Sequence, residues 1–404
     1  MSNTARTKQS SWLQYAALAS VPLVLVLGNS MLVPILPEIK RHLHISSMQT
    51  SLIITLFSVT AGVIIPIGGY LSDRFGRKKI MIPSLIIYGA AGVLAGFAAV
   101  WESYGILITA RAIQGLGAAG TAPIAMALVG DMFKDAEESK ALGLIEASNG
   151  TGKVISPILG SLLALWSWVA PFFAFPIFCA AALLMIIFLI KEPKQHEEPP
   201  QLREYLSKVG KILKQHGRWL FPAFIAGSTA LFILFGTLFY LSDVLEEKPY
   251  SIKGVWKGLV LAIPLLGMVI TAYVTGTLIK KNGKRIRLLS NIGLGLMVIA
   301  LAISIFSYKQ MIWFIALITI SSIGTGLLLP GLNTMITGAV EKSERGMITS
   351  IYSCMRFLGV ALGPPLFSWM MEISPRSIFI TVASLSAVSL LLVFFFVKPD
   401  KQVA

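Results

Sequence analysis

Four ionisable residues, Arg111, Glu146, Lys153 and Arg356, stand inside long apolar stretches of this chain rather than at their ends. A charge in hydrocarbon costs at least about 2.5 kcal/mol even on insertion scales, so these side chains must face a cavity or one another. Glu146 is the one acid among them, and proton coupling requires a group that gains and loses a proton while exchanging partners. Glu146 is therefore the first candidate for a proton carrier, with Arg111 in the coupling path and Asp243 next in line. A structural ion pair of Glu146 with Lys153 or Arg111 is the plain alternative, and the two roles are compatible. Glu146, Asn149, Gly150 and Lys153 recur at helical spacings of three, four and seven, which predicts one polar stripe on one helix, as do Arg111 and Gln114 on another. With Asn29 and Arg356 these residues (Asn29, Arg111, Gln114, Asn149, Lys153, Arg356) form the expected substrate cavity. Three buried positive groups against one negative predict a preference for neutral or anionic amphiphiles over cations, unless Arg111 is wholly engaged in structure and Arg356 points away from the path.

The elements that must position these residues are membrane-spanning helices. Of 404 residues 55% are hydrophobic and 13% charged, against about 25% charged in ordinary soluble domains. A spanning helix needs about 20 mainly apolar residues, and twelve such runs can be counted, six on each side of a polar segment at 191 to 218. The expected fold is all-α and integral to the membrane: a six-helix bundle at 1 to 190, a linker at 191 to 218 and a second bundle at 219 to 404. The formal net charge of +15 is explained by topology. With both termini cytoplasmic, 24 of the 34 Lys and Arg residues fall on the cytoplasmic side, seven outside and three in the membrane, which is the positive-inside bias. It leaves nucleic-acid binding without support.

Between runs two and three lies a charged turn, Gly69 to Lys79, holding Asp73, Arg74, Gly76 and Arg77. Gly276, Leu278, Gly283, Lys284 and Arg285 repeat Gly69, Leu71, Gly76, Arg77 and Lys78 at an offset of 207 residues, about half the chain. Two related halves of crossing helices are the sequence sign of a secondary transporter with its substrate path between the halves. Asp73 ends run two where its carboxylate can cap another helix's free N–H groups, and Arg77 can pair with Asp131. Gly69, Asp73, Arg74, Gly76 and Arg77 are expected to form a conformational latch. In the second copy Lys280 replaces the acid, so the halves are not equivalent.

The chain resembles the major facilitator superfamily, and within it the twelve-helix drug:proton antiporters. The Gly69 to Lys79 loop is similar to the family's loop between helices two and three, and Arg111, Gln114, Gly115 and Gly117 to its helix-four motif. Gly143, Gly152, Ser156, Pro157 and Gly160 resemble the antiporter motif of helix five, with serine in place of glycine at 156 and 161. Leu27, Gly28, Pro34 and Pro37 match the helix-one pattern, while Gly359, Gly363 and Pro364 repeat Gly152, Ser156 and Pro157 at the same offset. The resemblance implies two pseudo-symmetric bundles, a contact of Asp73 with helix eleven near Gly346, and export of small amphipathic compounds or drugs in exchange for protons. The small residues of helix five at four-residue spacing allow close helix approach, and Pro157 allows a bend.

Other classes fit less well. A phosphate loop at Gly150 to Lys153 fails, because Ala147 stands at the first glycine's place and Val154 where Ser or Thr should be. No paired carboxylates, metal-ligand cluster or nucleophile elbow suggests an enzyme, and the expected driving force is a proton gradient, with no cofactor and no metal. A channel is disfavoured by the repeat. Run one is too long for a secretory signal, and Cys179 and Cys354 fall inside runs as inert thiols. Leu202, Leu206, Val209 and Leu213, interleaved with Arg203, Lys208, Lys211 and Lys214, predict an amphipathic linker helix on the inner leaflet. The expectation is a monomeric multi-pass exporter of a bacterial plasma membrane, whose partners are a small-molecule substrate, protons and lipid. A dedicated exporter of one metabolite, possibly anionic, is the alternative, and a nutrient importer a weaker one.

Overall fold

In a computed structural model, residues 2–192, 202–279, 282–338 and 345–398 are described. They form α1 (Ser2–Ser30), a 3-10 turn (Val33–Ile35), α2 (Leu36–His42), α3 (Ser47–Phe75), α4 (Arg77–Val100), α5 (Tyr104–Ala119), α6 (Ala122–Met132), α7 (Asp135–Ala164), α8 (Ala170–Leu189), α9 (Leu202–Val244), α10 (Gly254–Ile279), α11 (Gly283–Ser307), α12 (Met311–Gly338), α13 (Arg345–Ile373) and α14 (Pro375–Phe396). The first span joins α1 to α2, and the fourth joins α5 to α6, so the described residues make twelve passes. Eleven are long and apolar enough to cross a membrane on composition. The twelfth, α7, carries Glu146 and Lys153 and sits between α1 and α10.

Local chemistry sets the ends. Ser46 opens α3 with a capping box, its Oγ accepting from Gln49 N at 3.1 Å while Ser46 N donates to the Gln49 carbonyl oxygen at 2.9 Å. Gly76 closes α3 and precedes α4 at φ 107°, a backbone state in which a side chain would be strained. Asn282 caps α11 by accepting from Lys284 and Arg285 N–H groups at 3.1 and 3.2 Å.

The packing obeys the repeat. In the first half α1 packs on α7, α3 on α5, α4 on α5 and α4 on α8; in the second, α9 packs on α13, α10 on α12, α11 on α12 and α11 on α14. The symmetry reaches single residues. A methyl at Gly117 would lie 2.5 Å from Tyr88 N of α4, and Gly324, 207 residues later, meets the backbone of Gly293 on α11. Small residues thus let the backbones touch where lipid supplies little drive for association. The halves meet along α3 against α13 and α7 against α10.

One expectation changes. The periodic linker segment is not a separate helix, because α9 runs without a break from Leu202 to Val244. Its protein-facing stripe is Tyr205 and Ile212 with Val209 and Leu213 packed beside them, while Leu206 is exposed. Tyr205 stacks edge-on against Tyr70 of α3 at 5.2 Å and packs with Met347 of α13, which ties the segment to both halves. The polar stretch at 193 to 201 and Lys280 lie outside the described residues.

Candidate functional site

At the basic end of the bundle, Gly69 brings α3 against α13: a methyl there would lie 2.8 Å from Ser350 Oγ. Asp73 pairs with Arg77. Arg77 also donates to Asp131 at 3.0 Å and to Ser72 Oγ at 2.8 Å, so the expected Arg77–Asp131 pair is present in the structure. Arg74 donates to the Tyr70 hydroxyl at 3.1 Å. Gly346 lies in the first turn of α13, and residues 339–344 before it are outside the described residues.

A second clasp at this end has no counterpart in the sequence reading. Glu192 accepts from the backbone N–H groups of Arg77 and Lys78, satisfying orphan donors at the start of α4. Lys78 Nζ donates to the carbonyls of Ile187 and Ile190 at 2.7 and 2.6 Å, at the end of α8. The two charges sit where the helix dipoles favour them.

The small residues of α7 serve two neighbours. Gly152 faces Leu23 and Val26 of α1, where an added methyl would lie 3.1 Å from Leu23, and Gly160 meets the backbone of Met31. Ser156 is buried and donates to Gly152 O at 2.5 Å, so the serine fits inside the helix it replaces a glycine in. The carbonyl of Pro157 and Ser161 Oγ abut Gly258 of α10, and Gly150 abuts Val269 of the same helix. Gly143 has no neighbour within 4 Å at that position.

Gly150 and Pro157 define the face of α7 turned toward the other half, and Glu146 and Lys153 share that face by helical spacing. None of the ion pairs among the described residues includes Glu146, Lys153 or Arg356. Arg356 of α13 and Glu146 are instead the two charged groups that act electrostatically on Lys153. Arg356 lies over the Tyr352 ring at 5.5 Å, and its buried Nε has no hydrogen-bond partner. Asn149 is half-buried on the same helix.

Arg111 has the opposite environment. It is 1% exposed. It donates from Nε to Ile53 O at 2.9 Å, from Nη1 to Gly28 O at 3.0 Å and to the Gln114 carbonyl oxygen at 2.7 Å, and from Nη2 to Asn29 Oδ1 at 2.8 Å. Its guanidinium also lies 4.6 Å over the Phe57 ring. Asn29, Arg111 and Gln114 are thus brought together, but in a network internal to the first half.

At the end opposite the basic loop, an ion cluster joins the halves. Glu246, just after α9, pairs with Arg41 of α2 and accepts from Lys257 Nζ of α10 at 2.8 Å. Lys257 is 1% exposed and Arg41 is 52% exposed at the side chain. Burial works against the Glu246 carboxylate, yet Lys257 and Arg41 outweigh it and hold the group below its ordinary range. Nearby, Ser242 Oγ donates to Val33 O at 2.8 Å and Thr55 Oγ1 to Ala361 O at 2.7 Å, both across the halves. The sequence offered no pattern for these pairs, since Arg41 and Glu246 are 205 residues apart.

The family described as Major Facilitator Superfamily matches residues 18–302 and 257–404. The chain is 46% identical over 390 residues to the bacillibactin exporter of Bacillus subtilis, covering 96% of each protein. Multidrug resistance protein 2 of the same organism is 25% identical over 350 residues, 85% of each. Among solved structures, the human organic anion transporter MFSD10 superposes with a TM-score of 0.71 at 17% identity, covering 95% of this chain and 99% of that one, a likeness of fold.

Proposed function

Because the chain belongs to the Major Facilitator Superfamily and is a multi-pass membrane transporter, we propose that it exports one small amphipathic metabolite in exchange for protons by alternating access. The observation that carries this reading is the polar face of α7, where Lys153 lies within electrostatic reach of Glu146 on its own helix and of Arg356 from the other half, on helices that pack across the halves, where a two-bundle transporter exposes its site to either side. Bacillibactin is the first substrate to test, since the relative named for its export matches almost end to end at 46% identity. The multidrug relative is more distant, so broad drug export is the second reading.

In this cycle Glu146 takes a proton when the site opens to the outside and yields it inside, exchanging partners with Lys153 as it does so. The protein sits in a bacterial plasma membrane with both termini cytoplasmic, as the distribution of Lys and Arg supports, and works as a monomer without a cofactor. The test is bacillibactin accumulation in inverted vesicles with an imposed inward-acid gradient. Uptake that collapses with the gradient supports the reading. Uptake of cationic and neutral drugs without bacillibactin favours broad drug export, and gradient-independent flux of every solute overturns coupled transport.

A further inference from the structure

We infer that Lys153 and Arg356 form an anion-binding site shared between the two halves, which takes the acidic oxygen of an anionic amphiphile. The inference rests on the exporter reading above and deepens it by naming the substrate class. Arg356 and Lys153 come from different halves, on α13, which packs on α3 of the first half, and on α7, which packs on α10 of the second. Like charges brought within reach of one another are unfavourable, and apolar surroundings strengthen the repulsion. A protein keeps such a pair when a negative group completes it. Glu146 is the acid that acts on Lys153, seven residues along the same helix, and it makes no ion pair with either cation in the structure.

A second observation points the same way. Among the described residues, several buried side-chain nitrogens and oxygens lack a hydrogen-bond partner, and Arg356 Nε is the only one that belongs to a charged group. An unsatisfied buried donor is costly, the more so on a cation. The hydroxyl of Tyr352, one turn away and beneath the guanidinium, is also unpartnered. Lys153 and Arg356 are half-buried, and the two fully buried cations among the described residues are already used. Arg111 spends its donors on neutral acceptors, and Lys257 is held by Glu246. An anion entering between the halves therefore finds open donors at Lys153 and Arg356, and a lipophilic cation meets repulsion there. When the substrate leaves, Glu146 is the group placed to relieve Lys153, so substrate and carboxylate compete for one ammonium.

Equilibrium binding to the purified full chain in lipid nanodiscs tests this without requiring transport or a proton gradient. The probes are fluorescein as an anionic amphiphile and tetraphenylphosphonium as a permanent cation. Arg356→Gln and Lys153→Gln should each weaken fluorescein binding about tenfold, the scale of one charge-assisted contact, while Arg356→Lys retains most of it. Glu146→Gln should tighten fluorescein binding, an opposite sign that misfolding cannot imitate. Unchanged fluorescein affinity in both cation variants, or wild-type binding of tetraphenylphosphonium without fluorescein, overturns the site. If binding follows the expected order but bacillibactin is not driven by a gradient, the anion site stands and the exporter reading falls.

Discussion

Arg111 and Arg356 are both intramembrane arginines without a carboxylate partner, yet the protein treats them in opposite ways. Around Arg111 the sequence supplies Gln114, Asn29 and two helix carbonyls in a fork that uses the guanidinium from three sides. Around Arg356 it supplies a ring below and leaves Nε open. A buried charge with every nitrogen engaged, as all three of Arg111 are, is a brace, fixed in one geometry. One with open donors is held for something that comes and goes. The repeat sharpens the contrast, because 207 residues after Arg111 stands Ile318, buried and apolar. The first half thus carries the brace, and Arg356 is the second half's contribution to the interface.

The largest effect should come from breaking the brace. Arg111→Gln strands the carbonyls of Ile53 and Gly28 and the amides of Asn29 and Gln114, at about 1–3 kcal/mol for each unsatisfied group. Its thermal unfolding in detergent should fall by many degrees and its membrane yield should drop. Arg356→Gln should melt near wild type, and equal losses would erase the distinction between the two arginines.

Next in size is coupling. Glu146→Gln keeps shape and hydrogen bonding but cannot exchange a proton near neutral pH, so vesicles should still bind substrate but no longer concentrate it against a pH difference. Retained concentration would move the carrier elsewhere, Asp243 first. Smaller again is the latch: Asp73→Asn should slow turnover more than Lys280→Asn at equal expression, because the first removes one of the two carboxylates that hold Arg77. Equal slowing would show that both loops serve topology alone.

The smallest effect belongs to the cluster at the far end. Arg41 is exposed, so Arg41→Gln should cost no more than about 1 kcal/mol. Its mark is on acid stability. Glu246 is held below its ordinary range, so its pairing stabilises the fold above the unfolded carboxylate value of about 4.3 and is lost as pH falls through the lower folded value. Removing Arg41 should bring that loss to higher pH in thermal melts taken from pH 3 to 7. An unchanged acid limb would show that Lys257 alone sets the Glu246 carboxylate.

The sequence made the twelve passes legible because lipid forces each backbone to satisfy itself within one helix, and apolar length records that demand. The Arg77–Asp131 pair was also readable, since both residues end apolar runs on one side. What stayed hidden were pairings with no local spacing: Glu192 on the start of α4, Lys78 on the end of α8, and Arg41 with Glu246 and Lys257. The unbroken α9 was hidden for another reason. Its linker turns carry Tyr205 and Ile212 toward the protein together with Val209 and Leu213, while Leu206 is left exposed, so the stripe the sequence suggested packs on protein through half of its residues. The sequence placed Arg111 and Arg356 in one list of buried charges, and only the hydrogen bonds separate them.

The most direct test of that separation is charge reversal. Export of fluorescein and of tetraphenylphosphonium should be compared, in vesicles of equal protein content, for the wild type and Arg356→Glu. The wild type should export fluorescein in preference to tetraphenylphosphonium, and Arg356→Glu should reverse the preference while melting near wild type. A variant that keeps the wild-type preference, or that simply unfolds as Arg111→Gln is expected to, would contradict the separation.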